Sequence, residues 1–445
     1  MDIRSELDKA PLGFSHWTVV TILGLVTLFD GYDTLVPSYV IPYALEQWSL
    51  PPSQAGLLVS SGLVGFMIGS LAVGLIADRI GRKPTLLAGL LIASLIDLVT
   101  ASQARAFAPF VALRLLTGLG LGMLLPLSVT IINELAPRRF TNLLVGCAMI
   151  GWSTGGVLAA VMGLVLAPTY GWPALFWVDG AALPLVLACV FVLKESPRFL
   201  ALKGTQDALR KVMAWLVPGR AAAYAGAVFT TVEDIRHRAS VSRLLEPHVR
   251  SRTLTVWFCA ACSLFTIFGL SSWLPQTMIQ RGEGLGSSFA FGALLQFMAI
   301  LGGVGVGRAA DRYDRRRVLV ASWTLSALAI AGLAVVNSHW TNIAFISVAG
   351  FFAFGAQTLL NNLTASFYET EVKSTGVGME LGVGRLGGIL GPYIVGWLKQ
   401  LFPGSMPMFA AMALTVALCA VAIALLRRAS PASSPQPVAA GSASS

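Results

Sequence analysis

Apolar residues run along this chain in blocks far longer than one face of a soluble helix, and polar residues collect in the gaps. The blocks fall at 17–43, 54–77, 84–103, 107–133, 142–167, 173–193, 253–279, 286–308, 317–337, 341–367, 375–398 and 405–426. About 20 residues at a rise of 1.5 Å cross a hydrocarbon core, so each block is long enough to span a membrane. The expected fold class is an all-α polytopic membrane protein with twelve transmembrane helices. The first block contains acids and is too long for a signal-peptide core, so it reads as an uncleaved span. A polar stretch, 194–252, separates six blocks in 1–193 from six in 253–427. The tail, 428–445, is low in complexity and is expected to be disordered.

Composition agrees with this pattern. The chain is 56% hydrophobic and 12% charged, against about 45–50% apolar and about 25% charged for a soluble domain. The net charge of +10 does not point to nucleic acid, because the basic residues lie in short loops. Arg79, Arg82, Lys83, Arg138, Arg139, the middle segment, Arg308, Arg312, Arg315–Arg317, Lys373, Arg427 and Arg428 fall on one side. Only Arg105, Arg281 and Lys399 fall in loops on the other. By the positive-inside bias both termini and the middle segment are cytoplasmic, in the inner membrane. The five cysteines all lie in apolar blocks, and the Cys259–Cys262 pair has no second pair or histidine to make a metal site, so no metal is expected.

The chain repeats itself. Gly74-xxx-Asp78-Arg79-xx-Arg82-Lys83 follows the second block, and Gly307-xxx-Asp311-Arg312-xx-Arg315-Arg316 follows the eighth. A weaker echo links Asn133–Arg139 with Ser366–Lys373. Two pseudo-symmetric six-helix bundles are the expected architecture, with a substrate site between them near the midplane. In the first loop Gly81 permits a tight turn. Asp78 can take a helix N-terminus or arginines as partners, and Arg82 can meet acids or lipid headgroups. By themselves these residues, and Asp311 and Arg312 of the second loop, can be a plain topological anchor.

Seven ionisable residues lie inside blocks: Asp30, Asp33, Asp97, Arg114, Asp179, Glu380 and Arg385. Buried charge is costly and marks function by default. Asp30 and Asp33, in FDGYDTL, share a helix face. A carboxyl set between a second acid and an arginine can take up and release a proton, so this pair is the expected proton-coupling site. Arg114 is expected to meet Asp30 or Asp33 in one state and to serve in coupling or substrate binding, with structural pairing as the alternative. Arg385 has no acid on its own face, and an anionic substrate is its expected partner. Asp97 and Asp179 read as solvated span ends, and Glu380 as a gate residue. Tyr32 lies between the two acids, where its hydroxyl can bond a carboxylate. Trp273 is a further binding candidate, as are Trp152, Phe268, Phe291, Phe351, Phe352 and Phe354 for stacking on a ring.

On these residues the chain resembles the major facilitator superfamily over essentially its whole length. GLIADRIGRK is similar to its signature loop, RLLTGLGLG at 114–122 to its span-four motif, and KESPR at 194–198 and KSTG at 373–376 to its loop motifs. DRYDRR departs by placing Asp314 where Gly81 stands. Asp30-Gly-Tyr-Asp33, Arg385 in GVGRLGGILGP and Ser272-Trp273-Leu274-Pro275 are similar to the aromatic acid:proton symporter family. That resemblance implies import of benzoate-type acids with protons, and implicates Asp30, Asp33 and Arg385 in transport. The superfamily resemblance implies that the loop motif latches one of the alternating states, which makes Asp78, Arg79, Gly81, Arg82, Asp311 and Arg312 the expected gating residues.

Rival readings are weaker. Gly382-Val-Gly384-Arg-Leu-Gly387 satisfies a dinucleotide pattern but lies inside a span, where close helix packing is the better reading, as for Gly118, Gly122 and Gly388. No nucleotide-motor motif is present, and no histidine falls well inside a span. Efflux is disfavoured, because the fifth span has no Gly-Pro pair in its middle. A membrane chemoreceptor lacks a sizeable cytoplasmic domain, and an intramembrane enzyme lacks a metal or serine motif. Another organic anion or small solute carried by the same fold is the nearest alternative. No cofactor is expected. The expected partners are a small aromatic carboxylate, protons and the bilayer, with a monomeric carrier and no nucleic acid.

Overall fold

The computed structural model describes residues 1–230, 241–247, 249–368 and 372–426. Twelve helices in it are long and apolar enough to cross a membrane. They are α1 (Phe14–Gln47), α2 (Pro52–Ile80), α3 (Arg82–Gln103), α4 (Phe107–Leu135), α5 (Arg138–Tyr170) and α6 (Pro173–Val192) in the first half. The second half holds α7 (Arg250–Gln280), α8 (Leu285–Arg312), α9 (Arg315–Val335), α10 (His339–Phe367), α11 (Lys373–Leu401) and α12 (Met406–Leu425). All twelve expected spans are present. Several run a turn beyond their apolar block, because a helix continues to satisfy its backbone where the side chains turn polar. α6 is broken at Gly180–Ala181 into two helices, Pro173–Asp179 and Ala182–Val192.

The two halves repeat one packing plan. α1 lies on α5 as α7 lies on α11, α2 on α4 as α8 on α10, and α3 on α6 as α9 on α12. Lipid offers no hydrophobic drive between helices, so close backbone approach at small residues holds such crossings. Gly155 faces the Leu28 carbonyl across α1–α5, and Gly122 faces the Phe66 carbonyl across α2–α4. Gly302 faces the Phe351 backbone across α8–α10, and Gly387 faces Ala261 across α7–α11. Of the dinucleotide-like glycines, Gly387 and Gly384 therefore pack helices, whereas a side chain at Gly382 would meet nothing within 4 Å.

The face that carries the amino terminus and the middle segment is called the linker face below. The segment expected as a polar loop is partly folded. Its helix Gln206–Leu216 buries Leu209, Val212, Met213 and Leu216, in one cluster with Ile3 and Leu7 of the helix Ile3–Lys9. Glu6 fastens the two, accepting from the Tyr224 hydroxyl at 3.1 Å and pairing with Arg220 at 2.6 Å. The 428–445 tail lies outside the described residues, as do Arg427 and Glu369–Glu371 of the second-half echo.

The halves meet through α2–α11, α5–α8 and α1–α7. Beyond the side chains that meet at mid-depth, the close contacts between them lie toward the far face. Ser60 donates to the Ile389 carbonyl at 2.7 Å. Gly56 faces Pro392, Gly396 faces Pro52, and Gly163 faces Phe289. Toward the linker face on α2 and α11, side chains at Gly74 or Gly378 would meet nothing within 4 Å.

The crossing argument predicts that Gly122→Leu loses about 1–3 kcal/mol or more through overpacking against the Phe66 backbone. Gly303→Ala, where the added carbon meets nothing within 4 Å, leaves stability unchanged. Thermal unfolding of the detergent-solubilised protein compares the two, and equal midpoints would contradict the packing.

Candidate functional site

A cavity of about 360 Å³ lies between the halves. Leu63, Phe66, Leu125, Met149, Trp152, Leu264, Ile267, Phe268 and Phe354 make most of its wall apolar, and Arg385 is the one charged residue lining it. The Arg385 guanidinium lies over the Phe66 ring, 4.2 Å from its centroid. Trp152 and Phe268 meet edge-to-face across the two halves, with centroids 6.4 Å apart. Arg385 forms no ion pair or hydrogen bond among the described residues. Asp30 is fully buried and interacts with it electrostatically, but lies beyond ion-pair distance. Neither carboxylate oxygen of Asp30 has a hydrogen-bond partner. A planar, unpaired guanidinium stacked on a ring in an apolar cavity is suited to a carboxylate with flat apolar bulk attached.

Asp33 belongs to a second group. Its carboxylate pairs with Nη1 of Arg114, and its backbone carbonyl accepts from Nη2 at 3.1 Å. The same Nη1 lies 3.2 Å from Asp97 Oδ1, which also accepts from Thr117 at 3.0 Å. Oxygens of Asp33, Asp97 and Asp179 all lie within 4.8 Å of one another. All four ionisable side chains are buried. Of the two expected partners, Arg114 takes Asp33.

Asp97 and Asp179 therefore correct the expectation of solvated span ends. The reason is tertiary. Trp48, Phe110, Trp172 and Phe176 interlock edge-to-face with centroids between 5.6 and 6.0 Å apart. Phe176 also lies under the Arg114 guanidinium at 5.7 Å. This aromatic plug accompanies the packing of α3 and α6 that turns both acids onto Arg114.

Two expected binding residues lie elsewhere. Tyr32 is fully buried and donates to the Leu175 carbonyl at 2.8 Å instead of to an acid. It is not in the cavity wall, because its orphan hydroxyl is satisfied by the carbonyl of the neighbouring α6. Trp273 is also fully buried. Its Nε1 donates to the carbonyl of Pro392, the proline inside α11, at 2.8 Å. Lys399, expected in a far-face loop, is buried over the Trp273 ring and donates to Gln280 at 2.7 Å. Phe291 is buried in the second-half core, with Phe351 and Phe352 packed against it. Phe66, Gln357 and Asn361 line the cavity without having been singled out. As an apolar residue in an apolar block, Phe66 carried no signal. The i,i+4 spacing of Gln357 and Asn361, two amides within one span, was a signal available to find them.

The gating residues divide between the halves. Gly81 has φ +109, which a side chain would strain. Arg82 pairs with Asp78 at 3.0 Å and with Glu134 at 3.2 Å, under the Phe199 ring. The open N-terminus of α3 is taken by Glu195, not by Asp78. Glu195 accepts from the Arg82 and Lys83 amides at 2.9 and 3.2 Å. Arg79 is exposed. Asp311 and Arg312 are also exposed and make no ion pair among the described residues, and the echo of Glu134, Glu369, lies outside them. Glu380 is fully buried and faces Asn361 of α10.

Twelve membrane-spanning helices in two repeated bundles, with a cavity between them, define a membrane transporter of the major facilitator fold. Residues 17–428 match the model of the sugar (and other) transporter family, and the chain belongs to that family. It is 31% identical to the benzoate transport protein of Acinetobacter baylyi over 90% of this chain and 87% of that protein. It is 31% identical to the 4-hydroxybenzoate transporter PcaK of Pseudomonas aeruginosa over 96% and 95%. It is likewise 31% identical to a gallate transporter of Pseudomonas putida, over 95% and 94%. Among solved structures, an inward-facing bacterial homologue of the human lysosomal transporter Spinster superposes with TM-score 0.73 at 17% identity, covering 93% of this chain and 96% of that one. The D-xylose–proton symporter gives 0.70 at 17%, covering 92% and 97%.

The Arg114 cluster makes a direct prediction. Removing one partner of a buried pair costs about 3–5 kcal/mol, because the other charge is left uncompensated. Arg114→Met is therefore expected to lower the unfolding midpoint sharply. Adding Asp33→Asn to that variant is expected to restore part of the loss. Thermal unfolding of both variants checks it, and a double variant no more stable than the single one would contradict the pairing.

Proposed function

We propose that this transporter imports an aromatic carboxylate together with protons by alternating access. The observation that carries the substrate class is Arg385, an unpaired cation stacked on Phe66 in an otherwise apolar cavity between the two bundles. A carboxylate can take the guanidinium fork, and the flat ring can lie among Phe66, Trp152, Phe268 and Phe354. The benzoate, 4-hydroxybenzoate and gallate transporters that resemble the chain support the same class.

Proton coupling is assigned to Asp30 and Asp33. Asp30 has no hydrogen-bond partner and interacts with Arg385, so a proton on Asp30 leaves the arginine free for the substrate. Asp33, Asp97 and Asp179 share one guanidinium, and such a group is electrically balanced when it also holds two protons. The linker face is taken as cytoplasmic, in keeping with its basic loops, and the carrier as a monomer in the inner membrane. Closure between the bundles at the far face then corresponds to the state open toward the cytoplasm. The Asp78–Arg82–Glu134–Glu195 network stiffens the first-half end of that opening. It is proposed to latch the opposite state when α2 and α11 close there.

Uptake of radiolabelled 4-hydroxybenzoate into proteoliposomes under an inward proton gradient tests the reading. Accumulation is expected to vanish with a protonophore and to fall at least about tenfold in Arg385→Gln, the loss of one charge-assisted pair. In Asp30→Asn, exchange of labelled for unlabelled acid is expected to persist while gradient-driven accumulation is lost. Wild-type uptake by Arg385→Gln would refute the substrate assignment.

A further inference from the structure

We propose that Gln357 and Asn361, backed by Glu380, form a subsite that recognises a hydroxyl group on the ring of the bound acid. The inference rests on the aromatic-carboxylate reading above and adds a specificity element to it. Polar side chains occupy few positions in the cavity wall. Arg385 is at one, Thr34 and Ser153 lie on the first half, and Gln357, Thr358 and Asn361 form a patch on α10.

Gln357 and Asn361 stand one turn apart and share a helix face. One end of the Gln357 amide lies 2.8 Å from the Asn361 amide, and its other end has no partner although it is buried. The Asn361 amide is best satisfied with its nitrogen turned toward Glu380 Oε1 at 3.0 Å and the Gln357 carbonyl oxygen at 3.0 Å. Glu380 is fully buried, and its Oε2 has no partner. Buried polar groups without partners are costly, so a patch that keeps two of them beside a cavity is built to receive a polar group.

The spacing suits one orientation of the substrate. Glu380 precedes Arg385 by five residues, about 7.5 Å along α11 at 1.5 Å per residue. It points around the helix toward α10 and reaches the cavity through Asn361. A ring anchored by its carboxylate at Arg385 can extend its opposite edge toward this patch. The reversed orientation would bring the acid's carboxylate to a patch of amides with no cation, and leave Arg385 unpaired. A phenolic hydroxyl both donates and accepts, so it satisfies the free end of Gln357 in either amide orientation. An unsubstituted ring leaves that end unpaired, and sites built around a hydroxyl reject analogues that lack one.

Calorimetric binding of 4-hydroxybenzoate and benzoate to the detergent-solubilised full chain tests this. Wild type is expected to prefer the hydroxylated acid. Gln357→Leu and Asn361→Leu, close to the amides in volume, are expected to lose about tenfold or more affinity for 4-hydroxybenzoate while benzoate changes by less than about twofold. Retained benzoate binding also reports that each variant is folded. Glu380→Gln keeps the shape and is expected to shift the preference in the same direction. Equal wild-type affinities, or equal losses for both acids in the variants, overturn the subsite and leave the carboxylate assignment standing. If wild type binds neither acid, the carboxylate reading fails and the subsite falls with it.

Discussion

Charge inside a hydrocarbon-thick layer has to be balanced within a few ångströms, and the interior of this transporter is organised around that constraint. The first half meets it in part. Arg114 gathers Asp33, Asp97 and the nearby Asp179 under a plug of four interlocked aromatic rings. The second half does not meet it in the same way. Arg385 is left facing a cavity with a ring beneath it and an unpaired acid, Asp30, across the interface. The Arg114 group is thus held by contacts within one bundle, whereas Arg385 and Asp30 face each other unpaired across the interface. The open charge is where an anion is best accommodated.

The same asymmetry runs to the linker face. In the first half, the turn at Gly81 is fixed by a chain of contacts from Asp78 through Arg82 to Glu134, with Glu195 capping α3. Asp311 and Arg312 occupy the repeated position in the second half and stay exposed. Sequence repetition carries the backbone plan from one half to the other, because glycines at the crossings set how closely helices approach. The cap of α3 is a separate matter, because Glu195 comes from the segment after α6 and lies outside the repeat.

Much of the candidate site was legible in the sequence. Asp30, Asp33, Arg114 and Arg385 stand out because an ionisable residue in an apolar block has few explanations. That Arg114 meets Asp30 or Asp33 followed from the need of a buried guanidinium for an acid, and packing decided for Asp33. Asp97 and Asp179 were misjudged, because distance along a span says nothing about what caps its end. Tyr32 and Trp273 were overvalued for a related reason. Each has one polar atom to satisfy, and a neighbouring carbonyl on α6 or α11 satisfied it locally.

The sequence by itself determined the twelve spans, the two-fold repeat, the loop turn at Gly81 and the burial of Asp30, Asp33 and Arg114. These follow from local physics: the length of apolar runs, the special conformation of glycine and the cost of burying an ion. Tertiary structure alone decided which charges close on one another and which face the cavity. It placed Phe66 under Arg385, brought Glu195 to the start of α3, and set the amides of α10 beside Glu380. Those contacts depend on the rotation and crossing of helices far apart in the chain, and an apolar run leaves its rotation about its own axis unstated until another helix packs against it.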